Sequence, residues 1–225
     1  MSIPHHRGLR IVLDMQACQT TTKNRGIGRY SLALTRAALA SGHQHHWYLV
    51  ADKTSKKTGD ELADTLDRLM PAHRLITIAV PENPAFTTTR DGPFAELEQR
   101  LWTRGYTLLN PDVLHIHSLL DAYVVFPHRI QDLAPVTSAT VYDLIPLLFP
   151  DHYLQEEPAH RWYYERLSTL KQFDILLAIS EATRKDVIEH LDISPDRIVN
   201  IGGAVDPRFR QTELHAQDVQ ALRAR

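Results

Sequence analysis

The sequence predicts a doubly wound α/β domain, a parallel sheet with helices on both faces. Three observations predict it. Short apolar runs recur along the chain, stretches with helical spacing fall between them, and 225 residues suit one domain of this size. Apolar strands alternating with helices imply right-handed crossovers that cover both faces of a parallel sheet.

The opening strand is RIVLDMQA, Arg10 to Ala17, followed by CQTTTKNRGIG, which fits neither helix nor strand. Ile27, Tyr30, Ser31, Leu34, Ala37, Ala38 and Ser41 then repeat at spacings of three and four, the stripe of an amphipathic helix closed by Gly42. A second strand runs from His46 to Ala51, a polar helix covers about Asp60 to Met70, and a third strand runs from Arg74 to Val80. Pro81 to Pro93 holds three prolines besides a run of Thr, which predicts an exposed, flexible flap. Phe94, Leu97, Leu101, Trp102, Leu108 and Leu109 keep helical spacing, with Gly105 a candidate early stop. The fourth strand is DVLHIHS, Asp112 to Ser118, and a short helix is expected near Leu120 to Ile130. PVTSATVYDL is the fifth strand, Glu156 to Gln172 the next long helix, and Ile175 to Ser180 the sixth strand. Ser180 is placed to cap EATRKDVIEHL, with Glu181 near the positive end of the helix dipole. A last strand, RIVNIGGAV, leads into DPRFR, which gives one domain over 1–209 and the start of a linker or truncated tail over 210–225.

Composition removes several function classes. The 25 Lys and Arg against 27 Asp and Glu leave a net charge of −2, so no global positive field holds nucleic acid. With 43% hydrophobic and 23% charged residues, the chain has the makings of an ordinary core. One cysteine, Cys18, excludes an internal disulfide and a thiolate metal cluster, which fits a reducing compartment. No run approaches the ~18 apolar residues of a membrane span. A cytoplasmic protein is expected, at most peripheral at the inner membrane face.

Ligands of open parallel sheets bind beyond the carboxyl ends of the strands, where strand order reverses. That rule selects the loop after Ala17, His117 with Ser118, Tyr142 with Asp143, Ser180 with Glu181, and Gly202 with Gly203. In RGIGRY, Arg25, Gly26, Gly28 and Arg29 combine cations with free N–H groups at a helix start, which suits a phosphate; the plainer reading is a turn with solvated arginines. The third glycine of GxGxxG is missing, which weakens a dinucleotide reading even with Asp52 available for a ribose. His115 and His117 share a strand face, compatible with a metal pair or with one packed and one cleft histidine; at the strand's end His117 fits the cleft or the interior equally, and burial is expected for His115. Asp143 stands where the chain leaves its strand, able to orient a sugar hydroxyl, to act as a base, or only to cap backbone N–H groups. Arg184 and Lys185 either reach a phosphate or solvate their helix, and His43, His45 and His46 lack the carboxylate partner of a metal site. Neither a nucleophile elbow nor a Walker sequence is present.

Together, RGIGRY, TVYDLIPLLFPDHY and LLAISEATRKDVIEHLDISPDRIVNIGGAVDPRF resemble the N-terminal, Rossmann-like domain of the GT-B retaining glycosyltransferases of group 1, nearest to the mannosyltransferases of bacterial surface polysaccharides. The resemblance covers about Arg10 to Phe209. It implies the acceptor-binding half of an enzyme that moves a sugar, mannose among the candidates, from a nucleotide diphosphate sugar to a glycan or lipid-linked acceptor. His117 and Asp143 would be catalytic; Arg25, Gly26, Gly28 and Arg29 would hold the donor phosphates; Tyr142, Ser180, Glu181 and Arg184 would line the acceptor side. No metal and no other cofactor is implied. Tyr142 stands where many relatives have histidine, so that histidine's role falls to His117 or to no residue. The family's C-terminal donor domain is not in the sequence, so this chain alone is expected to turn over little or not at all. Glu157 with Glu165 and Glu181 with Glu189 have the spacing of that domain's glutamate motif but lack its Gly and Pro.

Two other classes stay open: a binding module for a glycan or nucleotide without catalysis, and a Rossmann-type enzyme that modifies sugar nucleotides. Trp102, Tyr106, Leu108 and Leu109 are either core or a surface for a lipid-linked acceptor.

Overall fold

The computed structural model describes residues 8–20, 22–41, 44–53, 62, 64, 65, 74–79, 93–121, 125–127, 129–204 and 223. Most of the expected Asp60 to Met70 helix, the Pro81 to Pro93 flap before Pro93 itself, and 205–222 lie outside them. Seven strands form one sheet: β1 (Arg10–Asp14), β2 (His46–Asp52), β3 (Leu75–Ile78), β4 (Val113–Ile116), β5 (Val136–Val141), β6 (Ile175–Ala178) and β7 (Ile198–Asn200). Their order is β3-β2-β1-β4-β5-β6-β7, with every neighbouring pair parallel. The order reverses between β1 and β4, where Leu13 faces His115 in register. This is the doubly wound, Rossmann-like arrangement, and its switch point fixes where to look for a site.

The helices are α1 (Gly26–Ser41), α2 (Pro93–Leu108), α3 (Ile145–Leu148), α4 (Pro150–Tyr153), α5 (Glu157–Leu170) and α6 (Glu181–Leu191). Period-two alternation divides the strand side chains between two cores. Val12 and Val50 join a large cluster with Trp102, Tyr106, Ile116 and Phe173, while Leu13, Leu49 and Ala51 join a smaller one with Met15 and Leu39 of α1. Trp102, Tyr106, Phe126 and Phe173 pack in series, with ring centroids 5.6, 5.8 and 6.0 Å apart.

Of the two readings of Trp102 and Tyr106, the structure bears out core: both are fully buried, and burying an aromatic side chain of this size contributes roughly 4 to 6 kcal/mol. Two expectations change. Gly105 does not end its helix, because α2 passes so close to β3 that a Cβ there would stand 2.2 Å from Ile78 Cδ1. Its missing side chain sets helix-to-sheet distance. Finally, none of the described residues in 120–130 is helical; Phe126 and Ile130 are buried from an irregular segment. Among the described residues no helix is long and apolar enough to cross a membrane.

Candidate functional site

The carboxyl ends of β1, β4 and β5 are tied together by buried side chains. Asp14, the last residue of β1, is 1% exposed. Its Oδ2 accepts the Tyr106 hydroxyl at 2.6 Å and Gln16 Nε2 at 2.9 Å, and its Oδ1 accepts the Gln16 N–H at 3.1 Å. Burial pushes its pKa up to about 6, against the pull of those hydrogen bonds. Gln16 then clasps the Val125 backbone, donating to its carbonyl at 3.0 Å and accepting its N–H at 2.9 Å. Farther along, the Thr20 and Thr22 hydroxyls donate to Asp121 Oδ2 at 3.0 and 2.7 Å. These contacts lash the loop after β1 to the loop after β4, across the switch point.

The lashed loop delivers α1. Gly28 is buried against it, where a Cβ would stand 2.3 Å from Lys23 Cα and 2.6 Å from Lys23 O, so only glycine fits. The first intrahelical bond runs from the Arg29 N–H to the Arg25 carbonyl, which leaves the N–H groups of Gly26, Ile27 and Gly28 ahead of it. Arg25, Gly26 and Arg29 are exposed. No acid stands in this first turn. Two arginines at the positive end of a helix dipole do nothing for the helix, yet with three N–H groups they suit an incoming anion.

His117 lies beneath α1, 1% exposed, its Nε2 paired with Thr35 Oγ1 at 2.8 Å and its Nδ1 without a hydrogen-bond partner among the described residues. His115 pairs with Ser138 at 2.8 Å and Thr140 at 3.1 Å, and the two imidazoles meet edge to face at 4.9 Å. Burial pushes His115 down to about 4; burial, then the neighbouring His115, drives His117 well below its ordinary value. Both rings are neutral at pH 7. His117, from the sequence as readily a cleft residue as a packed one, is held inside the domain and hydrogen-bonded to Thr35 of α1.

Tyr142, expected on the acceptor side, is half-buried against α1. Its hydroxyl is paired with Ser31 Oγ at 2.9 Å, and its ring meets Tyr30 edge-on at 5.6 Å, so it supports the first turns of α1. Burial pushes its phenol well up, and Tyr30 in turn donates to the Gly202 carbonyl at 2.7 Å. Asp143 is exposed, and its Oδ1 accepts the Ile145 N–H at 3.0 Å where the chain turns into α3. Ser180 caps α6 as expected, accepting the Thr183 N–H at 3.1 Å. Arg184 is engaged within the fold, with Glu181 at 3.3 Å and the Ile198 and Pro195 carbonyls at 3.2 and 3.4 Å. Glu181 also accepts from Asn200 Nδ2 at 3.3 Å. That pair braces β7, with the Glu181 side chain half exposed.

The structure thus gathers Arg25, Gly26, Gly28, Arg29 and Tyr142 around the start of α1, sets Asp143 on the same sheet edge, and withdraws Arg184. Asp14, Gln16, Asp121 and Ser31 were missed by the sequence reading. Running the first strand on to Ala17 hid Asp14 inside it, although an acid closing an apolar strand was a readable signal. Among the described residues no group of three or more His, Cys, Asp or Glu is placed to hold a metal. A shallow groove between Thr107, Asn110, Pro111 and Pro135 lies at the opposite, amino-terminal edge of the sheet.

With this geometry in view, likenesses to known proteins become informative. The chain is 26% identical over 228 residues to the serotype-specific mannosyltransferase WbdA of Escherichia coli, an alignment covering 96% of this chain and 26% of that protein. It therefore spans about a quarter of the relative's length. Among solved structures, the Arabidopsis thaliana protein UGT89C1 complexed with quercetin superposes with a TM-score of 0.53 at 11% identity, over 96% of this chain and 54% of its own. The N-terminal domain of Candida albicans trehalose-6-phosphate phosphatase gives 0.55 at 10% identity, over 100% and 56%. At such identities the structural likeness shows the fold alone. The model of glycosyltransferase family 4 matches residues 24–209, from the loop before α1 to beyond β7, and the chain belongs to that family.

Proposed function

We propose that this chain is the acceptor-binding, N-terminal half of a retaining glycosyltransferase that moves a hexose, mannose first among the candidates, from a nucleotide diphosphate sugar to a glycan. The observation that carries the reading is the likeness to a mannosyltransferase along 96% of the chain. The geometry is compatible with the following roles. The N–H groups of Gly26, Ile27 and Gly28, with Arg25 and Arg29, offset the charge that gathers on the departing diphosphate. Asp143 accepts a hydrogen bond from an acceptor hydroxyl and fixes its direction of approach. His117, neutral and buried, acts through Thr35 as a positioning residue for α1. No metal takes part in this scheme; diphosphate charge is met by arginine and backbone. Turnover requires a donor-binding partner half, so the chain alone is slow or inactive.

The test is ligand-observed NMR with a panel of nucleotide diphosphate sugars and short glycans, on the wild-type chain and on a variant carrying Arg29→Ala and Asp143→Ala. Glycan binding that disappears in the variant is the expected result. Tight nucleotide binding with no glycan response would make the cleft a complete cofactor site and overturn the reading, as would robust transfer by the chain alone.

A further inference from the structure

Beyond Asp143 the chain does something unusual for a segment so well anchored. Leu144 and Leu154 are buried in the large core, and Leu147 packs against it, so 144–154 is fastened at both ends and the middle. Pro146 and Pro150 stand in the first turns of α3 and α4, which fixes the backbone before any ligand arrives. Yet Ile145, Phe149 and Tyr153 are 41%, 57% and 57% exposed. Each is joined to the next by an i to i+4 backbone bond, Phe149 N–H to the Ile145 carbonyl at 2.9 Å and Tyr153 N–H to the Phe149 carbonyl at 3.3 Å. A rigid segment thus carries a row of large apolar side chains in water, beginning two residues from the exposed Asp143.

Charge weighs against two occupants of the row. Residues 143–157 contain Asp143, Asp151, Glu156 and Glu157 and no Lys or Arg. An anionic membrane is repelled by such a border. A second copy of this chain docked face to face would set these same carboxylates against one another. A neutral polyol meets neither penalty. A pyranose presents an apolar C–H face, which lies on an aromatic ring, and a rim of hydroxyl donors, which carboxylates accept.

Resting on the acceptor-half reading, we propose that Phe149 and Tyr153, bordered by Asp143 and Asp151, form a subsite that stacks successive sugar rings of a neutral oligosaccharide acceptor and leads its terminal hydroxyl toward Asp143. The substrate class is a glycan of several residues rather than a monosaccharide.

The test titrates the 225-residue chain with α-linked mannotetraose by saturation-transfer NMR. The double variant Phe149→Ala, Tyr153→Ala is expected to bind at least about tenfold more weakly. Phe149→Tyr, which keeps the ring, stays within about twofold, Phe149→Leu, apolar but not aromatic, weakens binding, and Leu108→Ala, exposed at the other edge of the sheet, changes nothing. Full affinity in the double variant would overturn the subsite and leave the acceptor reading standing. No binding of mannotetraose by the wild type would remove the acceptor reading and the subsite with it. Cosedimentation with anionic phospholipid vesicles that is lost in the double variant would overturn the glycan in favour of a membrane.

Discussion

The ends of β1 and β5 each present an aspartate, and the two carboxylates have opposite fates. Asp14 is 1% exposed, receives Tyr106 and Gln16, and is pushed up to about 6 by burial. Asp143 is exposed and accepts one local N–H while the rest of its carboxylate meets solvent. The difference follows from what each end must do. The β1 end has to hold a loop in a shape that aims backbone N–H groups, so its polar groups are consumed inside the domain. The β5 end leaves its carboxylate open to solvent, as the proposed acceptor role requires. In the proposed function, one region builds the site and the other touches the substrate.

Breaking the β1 region should therefore cost stability first. Gly28→Ala has the largest expected effect, because the new Cβ meets the Lys23 backbone at 2.3 Å and no flexible side chain can yield. A loss of about 3 kcal/mol in urea unfolding is expected. Gly26→Ala, with nothing within 4 Å of its Cβ, stays within about 0.5 kcal/mol.

Asp14 supplies the next effect, and its sign is the reverse of a salt-bridged carboxylate. Its folded pKa of about 6 lies above the ordinary carboxyl value of 3.8, so the native state binds the proton more tightly than the unfolded chain. The ionised group weakens the fold above pH 6, and that penalty fades as pH falls through 6 and is gone below the unfolded value. Asp14→Asn has no such titration. Between pH 7.5 and pH 4 the stability of wild type relative to the variant should rise by about 2 to 3 kcal/mol. His115, held near 4 instead of 6.5, destabilises both proteins on acidification, so only their difference isolates Asp14. A difference independent of pH would show that the carboxylate is not buried as described.

The same contrast explains what could be read in advance. Strand and helix order followed from apolar periodicity, and Ser180 from its place before EATRKD. Gly28 was legible as a glycine at a helix start, though not that Lys23 presses on it. The fate of a side chain at a strand end was not legible, because burial there depends on which helix crosses above it. His117 is covered by α1 through Thr35, 82 residues away in sequence, and Tyr142 reaches Ser31 across 111. Gly105 read as a helix stop because its propensity is local and its contact with Ile78 is not. The α3–α4 turns went unread since two prolines in PLLFP hide helical spacing.

Tyr142→Phe sharpens the comparison at the joint between the regions. Its hydroxyl meets Ser31 of α1 while its own carbonyl accepts the Thr183 hydroxyl at 2.8 Å, so one residue belongs to both. Losing the hydroxyl should cost about 1 kcal/mol in urea unfolding. It should also weaken nucleotide diphosphate binding more than glycan binding, since α1 is what it steadies. Equal weakening of both ligands would mean that the two regions act as one.

The smallest expected change in stability belongs to Asp143→Asn, and it carries the comparison furthest. The amide oxygen still accepts the Ile145 N–H, so the turn into α3 survives and unfolding should shift by less than about 0.5 kcal/mol. What disappears is the negative charge offered to a hydroxyl, and a hydrogen bond to a charged group is worth about 1.5 to 3 kcal/mol. Mannotetraose affinity should then fall by roughly ten- to a hundredfold on an intact fold. If stability fell as it does in Gly28→Ala, Asp143 would be a second building carboxylate. If neither quantity moved, the β5 end would touch no substrate, and the division between the two regions would be wrong.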